Sequence, residues 1–365
     1  MRAALLEEHG KPLTVADDIE IDQPEAGEVL VRVRYCGLCH SDVSQADGTF
    51  PSAVPVILGH EAAGVVEAVG PAVTRVKPGD SVMLTPCPPC GRCYWCLRGE
   101  HSICVNSAAI TTATFPDGRT RLSRRGEVVY RGVGMGAFAE FVLIQESGAI
   151  PIHADTPLEV ACVIGCAVQT GVGAVLNCAR VEEGATVLVM GLGGIGISIV
   201  QGARLAGASR IIVSDPVASR RDAAAGFGAT DAIDPTVTDV REEVLRLTGV
   251  GADYAFDAAG RGALIETGLW ATRNGGTIVM VGAAPLEDTV TLTPVILLMT
   301  EKKLKSTVLG SSNSPFEIPR LLALWRSGRL DLEGMVTAHR PLAEINEAVD
   351  DLHEGKGIRT VLSIP

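Results

Sequence analysis

Apolar positions along the chain follow two different patterns. Before Gly184 they come in short runs cut by turn residues. Residues 29–35 (Val-Leu-Val-Arg-Val-Arg-Tyr) carry β-branched side chains in partial alternation, and residues 62–69 and 81–84 repeat that character. Gly70-Pro71 and Lys77-Pro-Gly-Asp80 punctuate these runs. Short strands between turn signals predict a compact, β-barrel-like domain. After Gly184 strand-like runs at 186–190, 210–215, 231–234, 252–257 and 276–281 alternate with helical stretches at 218–227, 238–248 and 261–272. Strand-like runs separated by helices predict a doubly wound α/β domain with a parallel sheet. A run at 304–309 is its expected last strand. Helices at 315–327 and 343–353 and a strand near 358–363 follow. This tail is expected to return to the first domain, with the active site in the cleft between the two.

The α/β region opens with Thr186-Val-Leu-Val-Met-Gly-Leu-Gly-Gly-Ile-Gly196, a strand running into glycines 191, 193 and 196 in the G-x-G-x-x-G pattern. Helical sequence through Ala206 and a second strand ending at Asp215 supply the context that gives such a pattern meaning. Gly191 permits the turn, Gly193 lets a pyrophosphate approach the backbone, and Gly196 allows the helix to pack closely. Gly194 and Ile195 open the helix, whose N-terminal N–H groups and partial positive charge suit phosphate. Asp215, about 20 residues beyond the turn, is placed to accept hydrogen bonds from a ribose and would repel a 2′-phosphate, which favours NAD over NADP. Arg220 and Arg221 lie just downstream, where they could meet such a phosphate.

Composition narrows the class. A chain of 365 residues is long enough for two cores. A formal charge of −12 and a pI near 5.1 argue against nucleic acid or anionic membrane as the main partner. The first residues lack the apolar core of a signal peptide, and no run approaches the roughly 18 apolar residues of a membrane span. A cytoplasmic protein is expected. Residues 86–131 reverse the overall charge, with seven arginines against three acids, and Pro116-Asp-Gly118 marks a turn there. That stretch reads either as a solvated surface loop or as a patch that attracts an anionic substrate or cofactor phosphates.

Ten cysteines in such a chain point to metal or catalysis before disulfides, and none lies beyond Cys178. Cys90, Cys93, Cys96 and Cys104 form a C-x2-C-x2-C-x7-C pattern that can surround one zinc with four thiolates and leave no open position. Cys87 is surplus to it. Elsewhere the chain offers Cys36-Gly-Leu-Cys-His-Ser-Asp42, Gly59-His-Glu61 and a later pair, Cys162 and Cys166. Thiolates at Cys39 and Cys166 with the imidazole of His60 would give zinc three protein ligands and an open fourth place, the catalytic arrangement. On residues alone, Cys36 competes with Cys39, and Cys162 with Cys166.

Taken together, Cys39-His-Ser-Asp42, Gly59-His-Glu61, the four-cysteine lobe, Ile164-Gly-Cys166, Thr170-Gly171, Gly191–Gly196 and Gly357-Ile-Arg-Thr360 fall in one familiar order. The chain resembles the zinc-dependent medium-chain alcohol dehydrogenases nearly end to end. Its polar insert is similar to that of the longer members, including animal alcohol dehydrogenases and thiol-dependent formaldehyde dehydrogenases. The resemblance implies a GroES-like catalytic domain over 1–167 and 309–365, with a structural zinc lobe at about 86–107, and an NAD-binding Rossmann domain over 168–308. It implies two zinc ions per chain, NAD(H), an alcohol or carbonyl substrate and a homodimer joined through the edges of the nucleotide-domain sheets.

It also implies residue roles. Cys39, His60 and Cys166 would hold the catalytic zinc, Asp42 would orient His60, and Glu61 would be a carboxylate near the metal. Ser41 would accept the alcohol proton, His40 and Arg359 would face the pyrophosphate, and Thr170 would lie near the nicotinamide. Cys36, Cys162 and Cys178 would be buried small hydrophobes. Small residues around Ser41, Pro86, 132–138 and Val308 imply room for a bulky or aromatic alcohol. Two positions depart from the family pattern: Ser44 stands where many members carry a relay histidine, and His40 where arginine is frequent. The leading expectation is reversible alcohol oxidation with NAD, and the rival is oxidation of an S-hydroxymethyl adduct of a small thiol.

Overall fold

The β-branched run after Gly184 becomes the strand Thr186–Met190, central to a six-stranded sheet in which every pairing is parallel. The computed structural model describes every residue except Pro51. Across the sheet the order is Asp231–Ile233, Arg210–Ser214, Thr186–Met190, Ala252–Asp257, Thr272–Met280 and Lys303–Ser306. In chain order that is 3-2-1-4-5-6, with the reversal between Thr186–Met190 and Ala252–Asp257. Helices cover a parallel sheet on both faces, so its strands need apolar residues at every position. Val187, Leu188 and Val189 are accordingly all fully buried. The helix Ala218–Phe227 ends where Gly228 turns left-handed, and Val240–Thr248 starts where the Asp239 carboxylate accepts the Glu242 N–H. These elements belong to a compact unit of residues Ala167–Ser312.

The other unit comprises Met1–Cys166 and Asn313–Pro365. Its spine is the long strand Glu28–Leu38, which pairs antiparallel with Glu61–Val69 along one edge. Its other edge is shared by Phe141–Gln145, opposite residues 28–32, and Arg359–Ser363, opposite residues 35–38. Val29, Val31 and Val33 point into a core that includes Ile57, Phe138 and Leu362. A four-stranded sheet built on Ala3–Leu6 and a three-stranded one built on Ile19–Ile21 complete this β-rich unit. The architecture agrees with the expected one, a β-rich domain joined to a doubly wound parallel sheet. The final sheet strand is shorter than expected: Lys303–Ser306 pairs, and residues 309–311 form a 3-10 turn.

Much of the arginine-rich stretch lies at the surface, and four of its arginines are tied to acids. Arg119 donates to Glu25 at 2.8 Å, and Arg121, 5% exposed, donates to Glu28 and Asp117 at 2.8 Å. The Arg121 guanidinium also lies 4.8 Å from the Phe115 ring centre. Arg124 binds Asp18 and Glu7, and Arg125 binds Asp18. Four of the seven arginines, Arg119, Arg121, Arg124 and Arg125, are thus paired with acids near the N-terminus.

Candidate active site

The strand Glu28–Leu38 ends one residue before Cys39, which caps the helix His40–Ala46. Asp42 sits in the first turn of that helix with 1% of its surface exposed. Its Oδ2 accepts the Cys39 N–H at 3.0 Å, and its Oδ1 accepts the Gly59 N–H at 2.9 Å and His60 Nδ1–H at 3.0 Å. Because a carboxylate only accepts, the Nδ1 proton is fixed and Nε2 is left as the ligand atom. Gly59 holds a φ of +94°, and a Cβ there would lie 2.6 Å from the Phe138 backbone nitrogen. Cys166 follows the 3-10 turn Cys162–Gly165.

These three residues converge. Ligand atoms of Cys39, His60, Glu61 and Cys166 all lie within 4.8 Å of one another. Arg359 is buried beside them, with Nη2 3.3 Å from Glu61 Oε1 and Nη1 donating to the Leu38 carbonyl at 2.7 Å. The Cys166 thiol, hydrogen-bonded to Cys39, holds Cys39 well below the usual thiol range, and Cys166 keeps the shared proton and rises well above it. Burial works to lower His60, but the Asp42 carboxylate and the Cys39 sulfur hold it well above its ordinary value. Burial pushes the Glu61 carboxyl up to about 7 against the pull of Arg359. Two sulfurs and an imidazole converging on one point match the donor set of a divalent cation, which would displace the protons that Cys166 and His60 hold. The residues fit zinc.

Cys36 and Cys162, the competing thiols, are fully buried, and burial raises both above the normal thiol range. Cys178 differs from expectation: it is half-buried, with its sulfur 3.6 Å from the Ser306 carbonyl. The four lobe cysteines also have their sulfurs within 4.8 Å of one another. Cys93 caps the helix Tyr94–Leu97, and N–H groups of Cys96 and Val105 bring its thiol down to about 6. Cys104 accepts the N–H groups of Cys90 and Asn106 at 3.2 and 3.5 Å. Cys87 lies outside the cluster, buried and pushed up to about 11 by that burial.

In the Ala167–Ser312 unit the three glycines behave differently from one another. Gly191 has a φ of +92°, Gly196 would bring a Cβ within 1.8 Å of the Gly191 carbonyl, and Gly193 faces open space. Gly193 opens the helix Gly194–Leu205 without a side-chain cap, so the first-turn donors of Gly194 and Ile195 meet no capping side chain. That is a cradle shaped for phosphate. Asp215 lies just past the strand Arg210–Ser214, its carboxylate accepting Leu192 N–H at 2.7 Å and Val217 N–H at 2.8 Å. Lone pairs remain for ribose hydroxyls. Arg221 is spoken for, bonded to the Asp215 carbonyl and to Asp234 at 2.7 Å, which removes it as a 2′-phosphate ligand. Arg220 is half-buried in the first turn of the next helix. Thr170 is buried in the helix Ala167–Gly173, which packs tightly on Gly194–Leu205: a Cβ on Gly171 would lie 2.6 Å from the Ile195 carbonyl.

In the other unit, Ser41 Oγ is 3.8 Å from Cys39 Sγ, His40 is exposed, and Ser44 is buried. The sequence reading missed the roles of Gly59 and Asp257. Gly59 has a signal in its place directly before His60; that of Asp257 is weaker, an acid at a strand end followed by Ala-Ala-Gly.

A three-donor metal set in one unit and a dinucleotide cradle in the other define a metal-dependent dehydrogenase. Family models agree: residues 25–154 match the alcohol dehydrogenase GroES-like domain, and residues 194–325 match the zinc-binding dehydrogenase. The NDMA-dependent alcohol dehydrogenase of Amycolatopsis methanolica is 39% identical over 367 residues, covering 99% of this chain and 98% of the relative. The alcohol dehydrogenase class-3 of Pisum sativum is 36% identical over 369 residues, covering 100% and 97%. Among solved structures, benzyl alcohol dehydrogenase from Acinetobacter calcoaceticus superposes with a TM-score of 0.94 at 30% identity, covering 100% of this chain and 99% of that one. The chain belongs to the zinc-dependent medium-chain alcohol dehydrogenases.

The Asp42 clamp generates a direct test. Asp42→Asn is expected to weaken zinc at the Cys39 site by about 10–100-fold while the four-cysteine lobe keeps its ion. Competition with a chelator would measure it, and unchanged retention of both ions would contradict the assignment.

Proposed function

We propose that this enzyme reversibly oxidises primary and secondary alcohols with NAD, and that benzyl-type alcohols are among its good substrates. The observation that carries the reading is the converging set Cys39, His60 and Cys166, with Cys39 and His60 bonded to Asp42, suited to a zinc ion with room for one more ligand. Zinc held there supplies the Lewis acidity that makes a hydroxyl easier to deprotonate, and NAD supplies the hydride acceptor. Ser41, beside Cys39, takes up the alcohol proton and passes it on. With Ser44 in the place of a relay histidine, the proton leaves this segment without an imidazole. Arg359, paired with the buried Glu61, places a positive charge beside the thiolates. Arg359 keeps one donor, Nε, without a hydrogen-bond partner among the described residues, and with His40 we assign it to the pyrophosphate.

On the nucleotide side, Gly191, Gly193, Gly194, Ile195 and Gly196 cradle the phosphates, Asp215 accepts from the ribose, and Thr170 serves the nicotinamide. Asp215 together with the engaged Arg221 supports NAD over NADP. Arg220 borders the ribose. The small side chains of the expected pocket, and the similarity to a benzyl alcohol dehydrogenase, support the aromatic preference. The thiol-dependent formaldehyde reading loses its main support, since the arginines that would attract an anionic adduct are paired with Glu25, Glu28, Asp18 and Glu7.

We further propose a cytoplasmic homodimer. No single helix among the described residues is long and apolar enough to cross a membrane. Strand Lys303–Ser306 lies at the edge of its sheet, and the adjoining helix Pro294–Thr300 exposes Val295, Leu298 and Met299 at 58, 75 and 76%. An unpaired edge flanked by apolar side chains suits a twofold continuation of the sheet.

NADH formation should be strong with benzyl alcohol and measurable with hexanol and a secondary alcohol. It should be weak with formaldehyde whether or not a small thiol is added; turnover confined to formaldehyde plus thiol would reverse the assignment. Leu298→Glu is expected to shift the light-scattering mass from dimer to monomer, and an unchanged mass would sink that interface.

A further inference from the structure

In the 3-2-1-4-5-6 order, the strand order reverses between the parallel neighbours Thr186–Met190 and Ala252–Asp257, and open parallel sheets bind ligands outside the carboxyl ends at such a point. Asp257 is the last residue of its strand and stands directly opposite Met190, one residue before Gly191. It is 1% exposed and has no cationic side chain bonded to it. Its carboxylate folds back on the chain that follows. Oδ1 accepts the Ala259 and Gly260 N–H groups at 3.0 and 2.9 Å, and Oδ2 accepts the Arg261 N–H at 3.1 Å. Its backbone carbonyl accepts Val281 and Gly282 N–H at 3.0 and 2.9 Å, which draws in the loop after the next strand.

The segment shaped this way is the wall against which the glycine turn rests. The Ala258 N–H bonds the Met190 carbonyl at 2.9 Å. A Cβ on Gly191 would come within 3.0 Å of Ala259 Cβ and 3.2 Å of its nitrogen. Behind that wall, a Cβ on Gly260 would lie 2.4 Å from the Ala283 carbonyl, and one on Gly282 would lie 2.1 Å from the Gly260 nitrogen. Backbone rests on backbone from Gly191 through Ala259 and Gly260 to Ala283. A displacement of residues 258–260 has no slack to absorb it and must move the turn.

We propose that Asp257 is a positioning residue for the dinucleotide: by gathering three successive N–H groups it fixes the 258–260 wall and thereby the phosphate-binding shape of the Gly191–Gly196 turn. It makes no contact with cofactor itself, since its acceptors are turned to its own chain. The proposal rests on the dinucleotide reading of that turn. Asn in its place keeps the size of the side chain but sets an NH2 group against a backbone N–H, so one of the two bonded edges is lost.

NADH titration of the zinc-replete, full-length enzyme tests it, with wild type, Asp257→Asn and Gly193→Val compared. Asp257→Asn should raise the NADH Kd and the NAD KM by about tenfold, with kcat at saturating NAD changed by less than about threefold. Zinc content should stay at two per chain, as the two ligand clusters require. A residue that only supported global stability would lower the melting temperature without moving the Kd of the folded, zinc-replete fraction. A Kd within about twofold of wild type overturns the proposal, provided Gly193→Val has abolished binding. If Gly193→Val binds NADH normally, the dinucleotide reading itself fails. Should Asp257→Asn not fold, Asp257→Ser, which keeps one acceptor, is judged by the same threshold.

Discussion

The metal centre depends on the Asp42 carboxylate and the three donors that converge on it. The Cys39 N–H, the Gly59 N–H and the His60 imidazole come from the start of a helix and the approach to a strand, separated by about 20 residues of chain. Nothing covalent sets the spacing of the Cys39 sulfur and His60 Nε2; the shared carboxylate does. Burying an unpaired carboxylate would cost several kcal/mol, on the order of what breaking a buried ion pair costs. Here three donors offset that cost, and removing the carboxylate would leave each of them unpaired in a dry interior. Gly59 belongs to the same constraint, because its N–H reaches Asp42 only from a left-handed backbone pressed against Phe138.

The two metal clusters solve different problems. The Cys39 set is embedded in the core of its unit, where Asp42, His60 and Glu61 are each no more than 1% exposed. The lobe has almost no core of its own. Its helix Tyr94–Leu97 is four residues long and leaves Tyr94 66% and Leu97 76% exposed. Backbone N–H groups aimed at Cys93 and Cys104 prepare the sulfurs, and a metal would supply the cohesion that apolar packing cannot. Left to themselves the lobe thiols do not all ionise: Cys93 is held near 6 while burial lifts Cys104 to about 12. Metal binding there must therefore release protons.

Much of this was legible in the sequence, for reasons that can be stated. Strand-like runs flanked by turn and helix signals stand out, so 186–190 and 252–257 matched the structure residue for residue. Ala218–Phe227 was legible because Gly228 closes it. Two- and three-residue strands such as Glu127–Val128 and Thr14–Ala16 are too short to show any period, and they went unseen. Lobe and glycine turn were readable because their spacing is local. The pairing of Arg119 and Arg121 with Glu25 and Glu28 was not, since the partners lie more than 90 residues apart. A still longer separation hid the charge pair of Arg359 with Glu61, which joins the last strand to the metal set. Asp257 was invisible for the opposite reason: its carboxylate serves three N–H groups within the next four residues, and a strand-end acid is ordinary in sequence.

The central claim is that Cys39, His60 and Cys166, not their neighbours Cys36 and Cys162, hold a zinc ion, separately from the lobe. A crystal of the zinc-loaded protein measured at the zinc absorption edge tests it most directly. Two anomalous peaks per chain are predicted. One should lie about 2.3 Å from the sulfurs of Cys39 and Cys166 and about 2.0–2.1 Å from His60 Nε2, and the other inside the four lobe cysteines. A single peak confined to the lobe, or one ligated by Cys36 or Cys162, would contradict the account.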